Sequence, residues 1–300
     1  MLKDIPDLII YAQHGWADDH RHMEYLASQL ATPNGQIIAP NLGYWRTWLR
    51  IAPLVDRVDA IATQLHTQHP HTPIHIIGHS MGGLIWLEVL HRHPEWWPQV
   101  QSLVLVGSPV GGADLARIID PLGWGIGIAR DLGKSRRGIG DAIASKIPTL
   151  IIRGNIDGGS DGTITNGSTQ LRHAAVVELP GINHPALRHH IQVSETIRNF
   201  WQDPTSFQCD TCDVTAELLQ RLQTIEGITD AHQRDFYRAK VWLKLPNGIT
   251  LHTWKNPLGI PHVFVASPQG QYLYGGFVGW LHIKPFWNAL TAIKHEYKTS

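Results

Sequence analysis

Cysteine is nearly absent: the 300 residues contain two, Cys209 and Cys212. That argues against a disulfide-stapled secreted scaffold and leads us to expect a soluble, cytoplasmic protein. Net charge is also missing, because 25 Lys and Arg are matched by 25 Asp and Glu. A balance of that kind argues against a broad electrostatic footprint for nucleic acid or an anionic membrane. No apolar run reaches the roughly 18 residues of a membrane span, and the stretch from Met1 to Asp7 does not read as a signal peptide. Peripheral contact with a membrane stays open. No internal repeat or low-complexity tract occurs. Cys209-Asp210-Thr211-Cys212 lacks the second ligand pair of a zinc site. It also lies at a junction rather than at a helix start after a strand, as a thioredoxin-like redox pair would. We read both cysteines as structural or incidental.

What is present is apolar: 43% of residues are hydrophobic and twelve are tryptophan, enough for a substantial core. Leu8–Ala12, Gln36–Pro40, Ile74–Ile77, Leu103–Val106, Thr149–Ile152 and Val176–Leu179 read as six strands. They are continuously apolar, as a parallel sheet covered on both faces requires. Helical spacing falls between them, at Met23/Leu26/Leu30, at Val58/Ile61/Ala62/Leu65, over Leu84–Leu90 and over Ala186–Phe200. Strand–helix alternation predicts an α/β fold with a doubly wound, mostly parallel sheet.

Two segments break that rhythm. Residues 110–146 form a long insert, glycine-rich but carrying Ile118, Ile119, Leu122 and Trp124. Loops of that length are usually functional or carry their own helices. Beyond Pro204 the pattern changes to a helix at Leu218/Leu219/Leu222/Ile225, a hairpin around Asn247-Gly248, a second hairpin around Pro268-Gln269-Gly270, and a closing helical stripe from Phe286 to Tyr297. We therefore expect a domain over residues 1–203 and a small α+β accessory domain over 205–300.

The chemistry-bearing stretch is Ile77-Gly78-His79-Ser80-Met81-Gly82-Gly83, a serine between glycines that follows a strand and precedes a helix. Gly-x-Ser-x-Gly in that setting makes a nucleophile elbow, with the serine Oγ exposed at the carboxyl end of the sheet. The following helix aims backbone N–H groups at any oxyanion formed there. His14-Gly15-Trp16 ends the first strand, and we assign the oxyanion hole to the main-chain N–H groups of Trp16 and Met81. His14 itself is read as a support for its loop. A serine hydroxyl is a weak nucleophile and needs a base. Among nineteen histidines, His184 stands out because it directly follows the sixth strand. His189 and His190 are read as surface residues on the helix beyond it.

With "IIYAQHGW", "IIGHSMGG", "LVGSPVGG", "SDGTIT" and "GINHPAL", residues 5–202 resemble the α/β-hydrolase superfamily, and within it the lipase/esterase group. The resemblance implies a serine–acid–histidine triad and an acyl-enzyme. "VGSPVGG" is similar to a Gly-Thr-Pro stretch of bacterial lipases, with Ser108 in the threonine place. "SDGTIT" is similar to their acid-bearing loop, which nominates Asp161 as the acid. Asp157, in Gly154-x-x-Asp157, fits the commoner pattern of the wider superfamily and is the alternative. The resemblance does not extend to residues 205–300.

These parts imply a serine hydrolase of carboxylic esters, with Ser80, Asp161 and His184 catalytic and with no metal or organic cofactor required. A lipophilic substrate is expected from Ile118, Ile119, Leu122 and Trp124 as lid or pocket residues, together with Trp45 and Trp48 after the second strand. Thioesterase and acyltransferase chemistry use the same machinery. A non-catalytic binding protein on a hydrolase core is the alternative from another class.

Overall fold

The structure is a computed structural model that describes residues 5–112, 128–207 and 214–299. The expected lid residues Ile118, Ile119, Leu122 and Trp124 lie outside the described residues, as do Cys209 and Cys212.

Six strands form one parallel sheet in the order β2-β1-β3-β4-β5-β6. They are β1 (Ile9–Gln13), β2 (Gln36–Ile38), β3 (Ile74–His79), β4 (Val100–Val106), β5 (Thr149–Asn155) and β6 (Ala174–Pro180). Side chains alternate between the faces of a strand, so the sheet divides the apolar residues into two cores. Ile9, Tyr11, Leu103 and Leu105 face one core. It is closed by α2 (Ala52–Gln68), α3 (Met81–Arg92), α4 (Ile128–Leu132) and α5 (Arg137–Ala144). Ile10, Ala12, Val104 and Val106 face the other, covered by α1 (Arg21–Ser28) and α6 (Ile191–Gln202). This is the doubly wound arrangement expected from the continuously apolar strands.

The described part of the 110–146 insert belongs to the core. Ile128, Leu132, Ile143 and Ala144 are buried against the β-sheet side that α3 covers. The expected helix over Ala186–Phe200 begins later, at Ile191. Asn183 Oδ1 accepts from Ala186 N at 3.0 Å and holds a short 3-10 turn. His189 then breaks the chain at φ −147°, ψ 0°, and the His190 side chain accepts from Gln192 N as the cap of α6. His189 and His190 thus precede the helix.

Beyond Pro204 an antiparallel sheet runs in the order β7-β11-β10-β9-β8. Its strands are β7 (Ile228–Asp230), β8 (Lys240–Lys244), β9 (Thr250–Lys255), β10 (Pro261–Ala266) and β11 (Tyr272–Val278). Both expected hairpins are present, turning at Gly248 and Gly270 with φ of 86° and 82°. Helices α7 (Val214–Gln223) and α8 (Ile283–Thr299) bury Leu218, Leu222, Phe286, Leu290 and Ile293 in a third core. The three-residue β7 has no period to read in sequence. It forms because the free edge of β11 is there to pair with Phe277 and Val278.

The two sheets are joined by a buried ion pair. Arg137 of α5 donates from both terminal nitrogens to the carboxylate of Asp230 on β7, the shorter contact being 2.7 Å. Arg137 also donates to the Gly167 carbonyl at 2.7 Å, and Asp230 is 1% exposed. Removing one partner leaves the other charged and unpaired, which costs about 3–5 kcal/mol. Arg137→Met should therefore lower unfolding stability by roughly that amount. Arg137→Met with Asp230→Leu should restore most of it, as measured by urea denaturation.

A second consequence concerns pH. His75 on β3 stacks on Trp201 with ring centroids 4.0 Å apart, and burial pushes its imidazole down to about 4. The unfolded chain then binds the extra proton between an ordinary value of about 6.5 and the folded value. Stability is therefore complete above pH ~6.5 and is lost progressively as pH falls towards 4. By pH ~5 the loss from this residue should be on the order of 2 kcal/mol. His75→Gln, which keeps a partner for the Ser102 hydroxyl, should show a smaller drop in urea midpoint between neutral and mildly acidic buffer.

Candidate active site

The strand order reverses between β1 and β3, whose carboxyl ends therefore border a crevice, the place where open α/β sheets bind ligands. Ser80 sits at the end of β3 with φ 55° and ψ −126°, a conformation that side chains rarely adopt. It is held by Ser80 N donating to the Val106 carbonyl at 2.8 Å. The turn closes because glycines let backbone touch backbone. A Cβ on Gly78 would lie 2.5 Å from the Gly83 backbone, and one on Gly15 would lie 2.8 Å from Ser80 Cβ.

His184 comes to the serine from the far side of the sheet. The loop after β6 is tied to the loop after β5 by His184 N donating to the Asp161 carbonyl at 2.9 Å. In the side chains, His184 Nε2 is 3.0 Å from Ser80 Oγ and Nδ1 is 2.6 Å from Asp161 Oδ2. A carboxylate accepts only, so Nδ1 carries the hydrogen and the Nε2 lone pair faces the serine hydroxyl. All three residues are buried. The second Asp161 oxygen accepts from Thr163 N and Ile164 N, which fixes the carboxylate. Asp157 is used differently. One oxygen accepts from Gly159 N and Ser160 N, the other from Ser160 Oγ, and it does not contact His184.

The main-chain N–H groups of Trp16 and Met81 donate to no acceptor among the described residues. Met81 is the first residue of α3, where an N–H has no intrahelical partner. Gly15 packs against the Ser80–Met81 peptide, so Trp16 follows directly from that contact. Ala17, at φ 51°, is pinned by donating from its N–H to Thr47 Oγ1 at 3.1 Å. His14 Nδ1 donates to the Gly15 carbonyl and Nε2 accepts from Leu42 N. Burial lowers its pKa and keeps it neutral, in keeping with a loop support.

Trp16 also begins an aromatic cluster. Its ring meets Trp48 edge-on at 4.4 Å, and Tyr44 stands between Trp48 and Trp45. Trp45 is 79% exposed and Leu49 is 65% exposed. Beside them an open groove of about 530 Å³ is lined by Leu42, Leu49, Pro53 and Leu54 together with Arg46, Arg50 and Arg57.

One residue of the site carries no sequence signal for its role. His79 is buried beside Ser80, its ring centroid 4.7 Å from that of His184, and its Nε2 donates to the His184 carbonyl at 3.1 Å. Burial, and then the neighbouring His184, push the imidazole well below its usual range, so His79 stays neutral. Its type was visible in the sequence, but its partner is 105 positions away. Among the described residues one group offers metal-type ligands: atoms of Asp18, Asp19 and His22 lie within 4.8 Å of one another. Asp18 is already paired with Arg188, so it braces the loop after Trp16 against the turn after His184.

Residues 4–127 match the serine aminopeptidase family S33 (Hydrolase_4). No curated protein matches the chain. Among solved structures, Est1E from Butyrivibrio proteoclasticus with ferulic acid bound is 16% identical. It covers 69% of this chain and 93% of its own, with a TM-score of 0.50. The mature Bacillus licheniformis lipase BlEst2 is 17% identical, covering 68% and 94%, with a TM-score of 0.48. The RedJ thioesterase of the Streptomyces coelicolor prodiginine pathway is 15% identical, covering 66% and 85%, with a TM-score of 0.44. The six-stranded parallel sheet, the family match across its first four strands and the likeness to Est1E give the parallel-sheet part of this chain an α/β-hydrolase fold.

Proposed function

We propose that this protein is a serine hydrolase that cleaves lipophilic carboxylic esters through an acyl-enzyme on Ser80. The observation that carries the reading is the buried hydrogen-bonded line Ser80 Oγ–His184 Nε2, His184 Nδ1–Asp161 Oδ2, with two undirected N–H groups beside the serine. Ser80 Oγ attacks the ester carbonyl while His184 Nε2 takes its proton. The carbonyl oxygen becomes an oxyanion and accepts from the N–H groups of Trp16 and Met81. Asp161 holds the imidazole in the required tautomer and stabilises it when charged. The alcohol leaves with the proton from His184. Water then gives a proton to His184 and its oxygen to the acyl carbon, and Ser80 is regenerated as the acid departs.

The lipophilic preference is supported by the aromatic cluster that adjoins Trp16. Tyr44, Trp45 and Trp48 expose apolar surface next to the proposed oxyanion site, with Leu49 in the same loop. We propose further that the chain divides near Pro204 into a hydrolase domain, residues 1–203, and an accessory domain, residues 205–300. The separate third core supports that division.

Members of such a triad act as a unit, so Ser80→Ala and His184→Ala should each lower turnover of a short-chain nitrophenyl ester by about 10⁴–10⁶. Asp161→Asn should cost about 10⁴. Asp157→Asn should leave turnover near normal and lower stability by roughly 1 kcal/mol, as loss of a loop cap does. A Ser80→Ala protein with unchanged turnover, or failure of wild type to react with a fluorophosphonate serine probe, would refute the assignment. Across nitrophenyl esters of increasing chain length, Trp48→Ala should shift the preferred length. Each buried methylene contributes about 0.8 kcal/mol, a several-fold preference per carbon or two. An unchanged profile would remove the aromatic cluster from the substrate site.

A further inference from the structure

Charge is not spread evenly along this formally neutral chain. Residues 236–295 contain no Asp or Glu, while they carry Arg238, Lys240, Lys244, Lys255, Lys284 and Lys294. The remainder of the chain therefore bears six net negative charges. The same segment exposes apolar side chains at one end of the antiparallel sheet. Leu258, in the turn between β9 and β10, is 69% exposed. Trp280 and Leu281, in the 3-10 turn after β11, are 66% and 91% exposed. The two turns are fastened together, because Trp280 Nε1 donates to the Leu258 carbonyl at 3.0 Å. Lys255 closes β9 just before the first turn, and Lys284 opens α8 just after the second; both are exposed. The neighbouring acid on that side, Glu226, lies 3.8 Å from His282.

We propose that this end of the C-terminal sheet is a wedge that docks on a lipid surface bearing anionic headgroups. The chemistry is complementary on two counts. A tryptophan with leucines projecting beyond it suits the boundary between headgroups and acyl chains, where an amphipathic ring and apolar side chains are both accommodated. Lysines at the base of the wedge then meet anionic headgroups, each worth roughly fivefold in affinity. A second copy of this chain fits less well, since a two-fold interface would set the lysines of one wedge against those of the other. Protruding turns also suit insertion better than the broad complementary face of a protein interface. The inference does not depend on the chemistry of Ser80.

The experiment is co-sedimentation of the full-length protein with vesicles, run on wild type and on Ser80→Ala so that vesicle hydrolysis plays no part. The probes are phosphatidylcholine alone and phosphatidylcholine mixed with phosphatidylglycerol. Both proteins should pellet with the mixed vesicles, weakly with phosphatidylcholine alone, and less as salt is raised. Trp280→Ser with Leu281→Ser should weaken binding at least about tenfold, and Lys255→Gln with Lys284→Gln roughly 25-fold. All of these positions are at the surface, and the Trp280/Leu281 variant loses only the single exposed hydrogen bond to Leu258, so each variant should stay folded and keep the wild-type rate on a soluble short-chain ester. No pelleting with anionic vesicles would overturn the proposal, as would undiminished pelleting of the Trp280/Leu281 variant. A concentration-dependent dimer in sedimentation velocity that this variant abolishes would also overturn it, and would assign the wedge to a second copy.

Discussion

At Ser80 the backbone takes φ 55° and ψ −126°, a conformation that costs on the order of 1–3 kcal/mol and persists only where its surroundings over-determine it. Here they do. The serine N–H is held by the Val106 carbonyl, Gly78 lies against Gly83, and Gly15 lies against Ser80 itself. The two glycine contacts put backbone where a side chain would stand. Relaxing the turn would move Ser80 Oγ from its place 3.0 Å from His184. It would also part the Trp16 and Met81 N–H groups, because the Gly15 contact sets their separation. The geometry of Ser80 is thus a product of packing at the carboxyl ends of β1, β3 and β4.

Asp161 is positioned from two directions. Register between β5 and β6 aligns Gly154 with Leu179 and Asn155 with Pro180, so the two following loops leave the sheet side by side. Asp161 then receives both the His184 backbone N–H and the ring Nδ1–H. On its outer side the same loop is touched by the C-terminal part of the chain. Gln233 donates to the Asp157 carbonyl at 2.9 Å, and His232 lies 3.7 Å from the Asp157 carboxylate. With the Arg137–Asp230 pair, these contacts bind the antiparallel sheet to the insert helix and to the loop that carries Asp157 and Asp161 at once. The C-terminal part is more closely tied to the site than a break in periodicity at Pro204 conveys.

Local features were legible because their physics is local. Continuous apolar runs mark strands buried on both faces, helical spacing marks the covering helices, and Asn247-Gly248 marks a hairpin. The serine between glycines, after a strand and before a helix, is a local steric signal as well. Features that depend on distant partners were harder to read. β7 is three residues long and exists through pairing with β11. The start of α6 is set by capping at His190 rather than by the apolar stripe that begins earlier. Nothing around His79 announces a hydrogen bond to the backbone of His184.

The sequence alone determined the alternation of strands and helices, the sharp turn at Ser80, the candidate base after the sixth strand and two candidate aspartates within five residues of one another. Those follow from side-chain periodicity and from where glycine permits close approach. Tertiary structure decided which aspartate meets His184, because that depends on the register of two neighbouring strands and on which carboxylate the loop consumes for its own N–H groups. It also decided that Arg137 and Asp230 share one buried contact across 93 positions. Burial of a charge is energetically tolerable when an opposite charge reaches the same place, and the folded chain brings that partner there.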